Sequence, residues 1–134
     1  MNRLPGHICK IETEGNLSLI TIVIRKDLYL KTIIIETPET VSYLRINNPI
    51  DVLFKETEVT IGANKSHAIS LQNRIPGPII AIDKGRLLSR IVLNTSAGEI
   101  IAIISTNAVD QMNLKVGDDV IAMIKLNEIM LSQC

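Results

Sequence analysis

Asn2-Arg3-Leu4-Pro5-Gly6 returns as Asn73-Arg74-Ile75-Pro76-Gly77, 71 residues later. Ile8 with Ile79, Ile11 with Ile82 and acidic Glu12 with Asp83 follow at the same spacing. Leu44-Arg45-Ile46 then matches Leu114-Lys115-Val116 at a spacing of 70, followed by Lys55 with Lys125, Glu58 with Glu128 and Val59 with Ile129. One gap in a loop accounts for the drift. Chance supplies aliphatic matches in an isoleucine-rich chain, but it is a poor source of a five-residue opening together with a Lys/Glu pair in register. Self-similarity at a fixed period marks a duplicated structural unit. The chain is therefore read as two units, 1–62 (the more divergent) and 73–134, joined by 63–72, which is either a linker or a segment exchanged between them.

The composition says what such units are made of. The 134 residues include 24 isoleucines, 8 valines and 9 threonines. Branching at Cβ restricts χ1, which costs little in a strand and more in a helix, so the class is mainly β. The same composition excludes other classes. No apolar run approaches the roughly 20 residues that cross a bilayer, and Met1 to Lys10 lacks the basic-then-apolar form of a secretory leader. Cys9 and Cys134 make no disulfide framework, as expected of a cytoplasmic protein. A net charge of zero, from 14 basic and 14 acidic residues, argues against direct nucleic-acid binding, which draws its affinity from phosphate neutralisation. Phe54, Tyr29 and Tyr43 are too few for a base-stacking platform. His7 and His67 form no H-x-x-x-H pair, and no phosphate loop or nucleophile elbow is present. The expectation is a binding module with no catalytic residues and no cation site.

Unit two reads as strands at Ile79–Asp83, Leu87–Asn94, Glu99–Ile104, Val120–Lys125 and Glu128–Leu131. Pro76-Gly77-Pro78 breaks structure before the first, and Lys84-Gly85, Thr95–Gly98 and Val116–Asp119 are turns. The run Ile100-Ile101-Ala102-Ile103-Ile104 suggests burial on both faces. Ser105-Thr106-Asn107 offers an N-cap for a short helix through Met112. Unit one reads alike, with Thr37-Pro38-Glu39 opening its helix, since proline suits the first helical position. The fold is thus read as two OB-like Greek-key barrels in tandem, each with one short helix. Two sandwich-like modules or one fused barrel are the alternatives. A single sixty-residue unit buries little apolar area, so packing of the two, or oligomerisation, is expected.

Ser70-Leu71-Gln72-Asn73-Arg74-Ile75-Pro76-Gly77, then Ile100–Ser105, then Leu114-Lys115-Val116-Gly117-Asp118-Asp119-Val120-Ile121-Ala122-Met123-Ile124-Lys125 and Glu128-Ile129-Met130-Leu131 together resemble the Mop domain, also classed as TOBE. The resemblance covers all of unit two and, more weakly, unit one. It implies an OB-like barrel, molybdate or tungstate as ligand with no organic cofactor, sites at interfaces between units, and a homo-oligomer, with a trimer favoured for the paired form.

The site that the resemblance implies carries over residue by residue. The family opens on Ser-Ala-Arg-Asn; here Ser70 and Asn73 match, Leu71 stands at the alanine and Gln72 at the arginine. Ser105 keeps the hydroxyl expected at the end of the third strand, whereas Ala108 replaces a serine. Lys125 matches the lysine ending the fourth strand, followed by Leu126 where a small residue usually offers its backbone N–H. In unit one Lys55 matches that lysine, and Thr37 is the nearest hydroxyl. Hydroxyls, amides and backbone N–H groups give an oxyanion directional donors that do not titrate, and a lysine adds charge. Position alone also allows plainer roles: solvated strand-end lysines, a linker serine at 70, an N-cap at Ser105, a surface histidine at His67, structural His7 and Cys9, and an incidental Cys134.

The expected function is non-catalytic oxyanion binding for intracellular molybdenum storage, homeostasis or delivery. The alternative is an oxyanion-sensing or assembly module with a weakened site, acting on a molybdate transporter or a transcription regulator.

Overall fold

A computed structural model describes residues 1–63 and 68–133. His67, Cys134 and the polar part of the joining segment lie outside them. The strands are β1 (Asn2–Glu14), β2 (Leu17–Arg25), β3 (Leu28–Ile34), β4 (Pro49–Phe54), β5 (Thr60–Ala63), β6 (Asn73–Lys84), β7 (Leu88–Thr95), β8 (Gly98–Ser105), β9 (Asp119–Ile124) and β10 (Met130–Gln133). A helix α1 (Thr106–Met112) follows β8, and 3-10 turns occupy Glu56–Glu58 and Leu126–Glu128. No helix among the described residues is long and apolar enough to cross a membrane.

All pairings are antiparallel, in two five-stranded sheets ordered β10-β4-β1-β2-β3 and β5-β9-β6-β7-β8. Each sheet takes four strands from one repeat and its fifth from the other: β5 pairs with β9, and β10 with β4. Buried residues of both repeats, from Leu4 and Ile8 to Ile124 and Ile129, form one hydrophobic cluster. Burial alternates along β1, with Asn2, Leu4, Gly6 and Ile8 inward and Arg3, Pro5 and His7 outward, the period of a strand with one covered face.

The prolines of the repeated motif sit inside strands and do not break them. Residues 2–7 of β1 pair with β4, whereas pairing with β2 begins only at His7. In β6, residues 73–78 pair with β9, and pairing with β7 begins at Ile79. Pro5, Pro76 and Pro78 therefore lie where the strand has one neighbour, and a missing N–H costs no ladder bond. The glycines allow close approach: a Cβ on Gly6 would lie 2.7 Å from the Val23 carbonyl oxygen, and one on Gly77 2.8 Å from that of Asn94.

The helix expected in unit one is absent. The Thr37 carbonyl accepts from the N–H groups of Thr40 and Val41, and the Thr40 hydroxyl both accepts from the Thr37 N–H at 2.8 Å and donates to the Thr37 carbonyl at 3.0 Å. The segment thus closes as one turn. Thr40-Val41-Ser42-Tyr43 are poor helix formers whose side chains compete for the backbone. The last strand of each repeat also starts later than its apolar run, because Lys55 and Lys125 each begin a 3-10 turn. In β8, Ile100 and Ala102 are fully buried but Ile101, Ile103 and Ile104 only partly, since β8 is a sheet edge covered on its outer side only in part, by the Glu56–Glu58 turn.

Two seams join the repeats. The Asn73 amide accepts from the Lys31 N–H at 2.7 Å and donates to the Lys31 carbonyl at 2.8 Å. The Asn2 amide does the same to Ile101, at 2.8 Å each way. The first seam has an addition: the Thr32 hydroxyl lies 2.7 Å from the Ile129 carbonyl and 3.1 Å from that of Leu126, whereas its counterpart in the repeat is Ala102. Replacing Thr32 by the isosteric valine removes this one donor from the two carbonyls. A loss of about 1–2 kcal/mol is expected, read from the urea midpoint at unchanged slope.

Candidate functional site

Lys125 directly follows β9 and Asn73 opens β6, and the two strands are in register with Asn73 opposite Ile124. The ladder ends at that pair, with Gln72 and Lys125 the next residue on either side. Ser70, Gln72 and Lys125 are exposed, and Leu71 and Leu126 half-buried. Asn73 belongs to this group by position, but it is 1% exposed and its amide is spent on Lys31. Leu126 would serve the site by its backbone N–H; its carbonyl lies 3.1 Å from the Thr32 hydroxyl.

The other candidates stand elsewhere on the chain. Ser105 ends β8, where its hydroxyl caps α1 by accepting from the Ala108 N–H at 3.0 Å; Thr106 beside it bonds Ser89 and the Gly85 carbonyl. Ala108, which replaces a ligand serine, is thus held through its backbone. Thr37 is 8% exposed within the turn after β3. The neighbouring Tyr43 hydroxyl donates to the Glu36 carboxylate at 3.1 Å, and burial, helped by that carboxylate, pushes the phenol above its ordinary value. Lys55 is exposed at the other seam, beside Asn2 and β8.

One participant was not legible in the sequence. The Arg74 side chain donates from Nε to the Leu71 carbonyl at 2.7 Å and from Nη2 to the Ile69 carbonyl at 3.1 Å. It thereby fixes the backbone that carries Ser70 and Leu71 and sets a permanent positive charge beneath it. Its repetition as Arg3 is the only sequence signal, and it reads there as part of the fold motif.

A groove of about 540 Å³ runs along the first seam, with Ile33, Ile35, Tyr43, Asn127 and Met130 in its walls. Its one charged wall residue is Glu36, so it does not suit an anion. Among the described residues no group of three or more His, Cys, Asp or Glu side chains is placed to hold a metal ion.

Known proteins match this arrangement in sequence and in fold. The TOBE domain family matches residues 69–131. Molybdenum-pterin-binding protein 1 of Clostridium pasteurianum is 31% identical over 65 residues, which are 48% of this chain and 96% of that protein. Molybdenum-pterin-binding protein 3 of the same organism is 29% identical over the same shares. A crystal structure of the cytoplasmic molybdate-binding protein ModG, with molybdate bound, superposes with a TM-score of 0.91 over 99% of this chain and 96% of that one, at 19% identity. The long alignment accounts for the fold of both repeats, strand exchange included, and the sequence likeness, which runs nearly the full length of its relatives, accounts for the motifs: the chain belongs to the Mop/TOBE domain family.

Proposed function

We propose that the protein binds molybdate or tungstate reversibly, without transforming it, and serves cytoplasmic storage or delivery of the metal. The observation that carries this reading is the sequence likeness to the molybdenum-pterin-binding proteins; the TOBE match over residues 69–131, which spans Lys125, and the fold shared with ModG support it. The proposed site is built from Ser70, Gln72 and Lys125, with Arg74 holding the loop and Ser105 supplied from another edge.

The chemistry is consistent with a carrier. A tetrahedral dianion leaving water needs donors on every oxygen and compensating charge, or it pays many kcal/mol. A hydroxyl, an amide and an ammonium provide these, and none of them is arranged as a nucleophile with a base. Arg74, two residues beyond Gln72, supplies charge where the family's arginine is missing. Because Ser70, Gln72 and Lys125 are exposed, an ion held by one copy alone would stay largely hydrated. A second copy laid over them would exclude water and bring in Ser105, which supports sites at interfaces of a homo-oligomer, a trimer being the proposed form.

Titration with molybdate, tungstate, sulfate and phosphate, followed by thermal stability, tests the reading, because a ligand of the folded state raises Tm with its concentration over Kd. Molybdate and tungstate are expected to stabilise. Lys125→Ala should weaken them about 10- to 100-fold, the worth of one charge-assisted bond, and Gln72→Arg should strengthen them about tenfold. No shift at millimolar molybdate would sink the proposal.

A further inference from the structure

The duplication sets a second lysine, Lys55, where repeat one has its own copy of the Lys125 end. The two lysines have the same backbone, with φ −70° and ψ 146° at Lys55 against φ −69° and ψ 147° at Lys125, and each opens a 3-10 turn. Each carbonyl accepts from the glutamate N–H three residues on, at 3.0 Å. The flanking strands are in the same register too: Asn2 lies opposite Phe54 and Pro5 opposite Asp51, as Asn73 lies opposite Ile124 and Pro76 opposite Ile121. At the lysines and the strands beside them the backbones are equivalent, so the side chains there decide what each lysine can help to hold.

Those side chains differ in one electrical sense. Leu126, next to Lys125, is Glu56 next to Lys55. Ile121, opposite Pro76, is Asp51 opposite Pro5. The Asp51 carboxylate takes the Arg3 guanidinium at 2.5 Å, while in repeat two the matching Arg74 holds the loop carbonyls. Glu56 Oε2 lies 3.3 Å from the Met1 nitrogen. Met1 is the counterpart of Gln72, so the carboxylate reaches the place where repeat two offers an amide. The hydroxyl position has changed as well: Ser105 at the end of β8 corresponds to Ile35 after β3, which is 72% exposed. Repeat one therefore has two carboxylates and an isoleucine where repeat two has two aliphatic side chains and a serine.

From this, and resting on the proposed function, we infer that the two corresponding ends have divided their work: the Ser70–Lys125 end takes the oxyanion, while Asp51, by holding Arg3 away, and Glu56, by standing beside Lys55, close the Lys55 end to anions. A dianion brought to Lys55 would meet a carboxylate where it needs a donor, and like charges at close range oppose it. The chain keeps both halves of the duplicated scaffold and one anion-accepting end.

Equilibrium dialysis of the full chain against molybdate tests this, with folding of each variant checked by its circular dichroism. Lys125→Ala is expected to remove saturable uptake, with affinity falling at least tenfold. Adding Asp51→Asn and Glu56→Gln to that variant is expected to restore saturable uptake, now at the Lys55 end. A Lys125→Ala chain that keeps about half of the uptake at unchanged affinity overturns the inference, because the Lys55 end is then already working. Neutralised carboxylates that restore nothing overturn the assignment of the block to them. An unaltered chain that takes up no molybdate overturns the proposed function, and this inference with it.

Discussion

Asn73→Ala is expected to destabilise the protein by about 2–5 kcal/mol, read from urea unfolding. The amide is buried and serves one backbone N–H and one carbonyl of Lys31. Alanine leaves both without a partner, and each orphaned buried group costs about 1–3 kcal/mol. A single domain has only about 5–15 kcal/mol in total, so the variant should be near its limit. Asn73→Asp separates this cause from lost packing. It keeps an acceptor for the Lys31 N–H but sets a carboxylate oxygen against the Lys31 carbonyl. Burial and that carbonyl favour the protonated acid in the folded state, which raises its pKa above the unfolded value. Stability of the aspartate variant should therefore rise as pH falls through that raised value and be lost above it. Asn2→Ala removes the same pair of bonds at Ile101 and should cost a similar amount. If Asn73→Ala unfolds at the unaltered urea midpoint, the seam is not what joins the repeats.

The same residue marks how far the sequence could be read. Asn2-Arg3-x-Pro-Gly and its repeat were legible because each position answers a local demand: an amide for the opposite seam, a proline where one ladder is missing, a glycine beneath a carbonyl. Ser105 as an N-cap was legible for the same reason, and α1 forms behind it. The exchange of β5 and β10 was not. Both are four-residue strands, and their side chains would meet a matching register in their own repeat or in the other. What selects the partner is the path of the whole chain, which no local pattern carries. Thr37-Pro38-Glu39 showed a start signal for a helix, but Thr40 turns back on Thr37 and the signal has nothing to extend. At the candidate site the sequence grouped Ser70, Gln72 and Lys125 through a family resemblance; the structure sets Gln72 and Lys125 one residue beyond the last ladder pair, Asn73 with Ile124. The sequence assigned Asn73 to the ligand, whereas the amide is spent on the seam. It missed Arg74, because a guanidinium that works on carbonyls of its own loop leaves no spacing signature.

Phe54→Ala is expected to cost about 3–5 kcal/mol, the usual price of emptying an aromatic site in a core. Phe54 is the only phenylalanine of the chain and is fully buried. It ends β4, which lies between β1 of its own repeat and β10 of the other. The cavity therefore opens where both repeats meet, and neither sheet can close over it without the other moving. Its counterpart Ile124 is buried to the same degree, but Ile124→Val removes one methyl group and should cost about 0.5–1.5 kcal/mol. The form of the transition matters as much as the size. Two independent modules would lose the first repeat and keep the second, giving two steps in calorimetry. A shared core with exchanged strands makes each repeat part of the other's sheet, so Phe54→Ala should lower one cooperative transition with equal calorimetric and van't Hoff enthalpies. A second transition left at the original temperature would show that the repeats fold apart, and the exchange of β5 and β10 would then carry little of the stability.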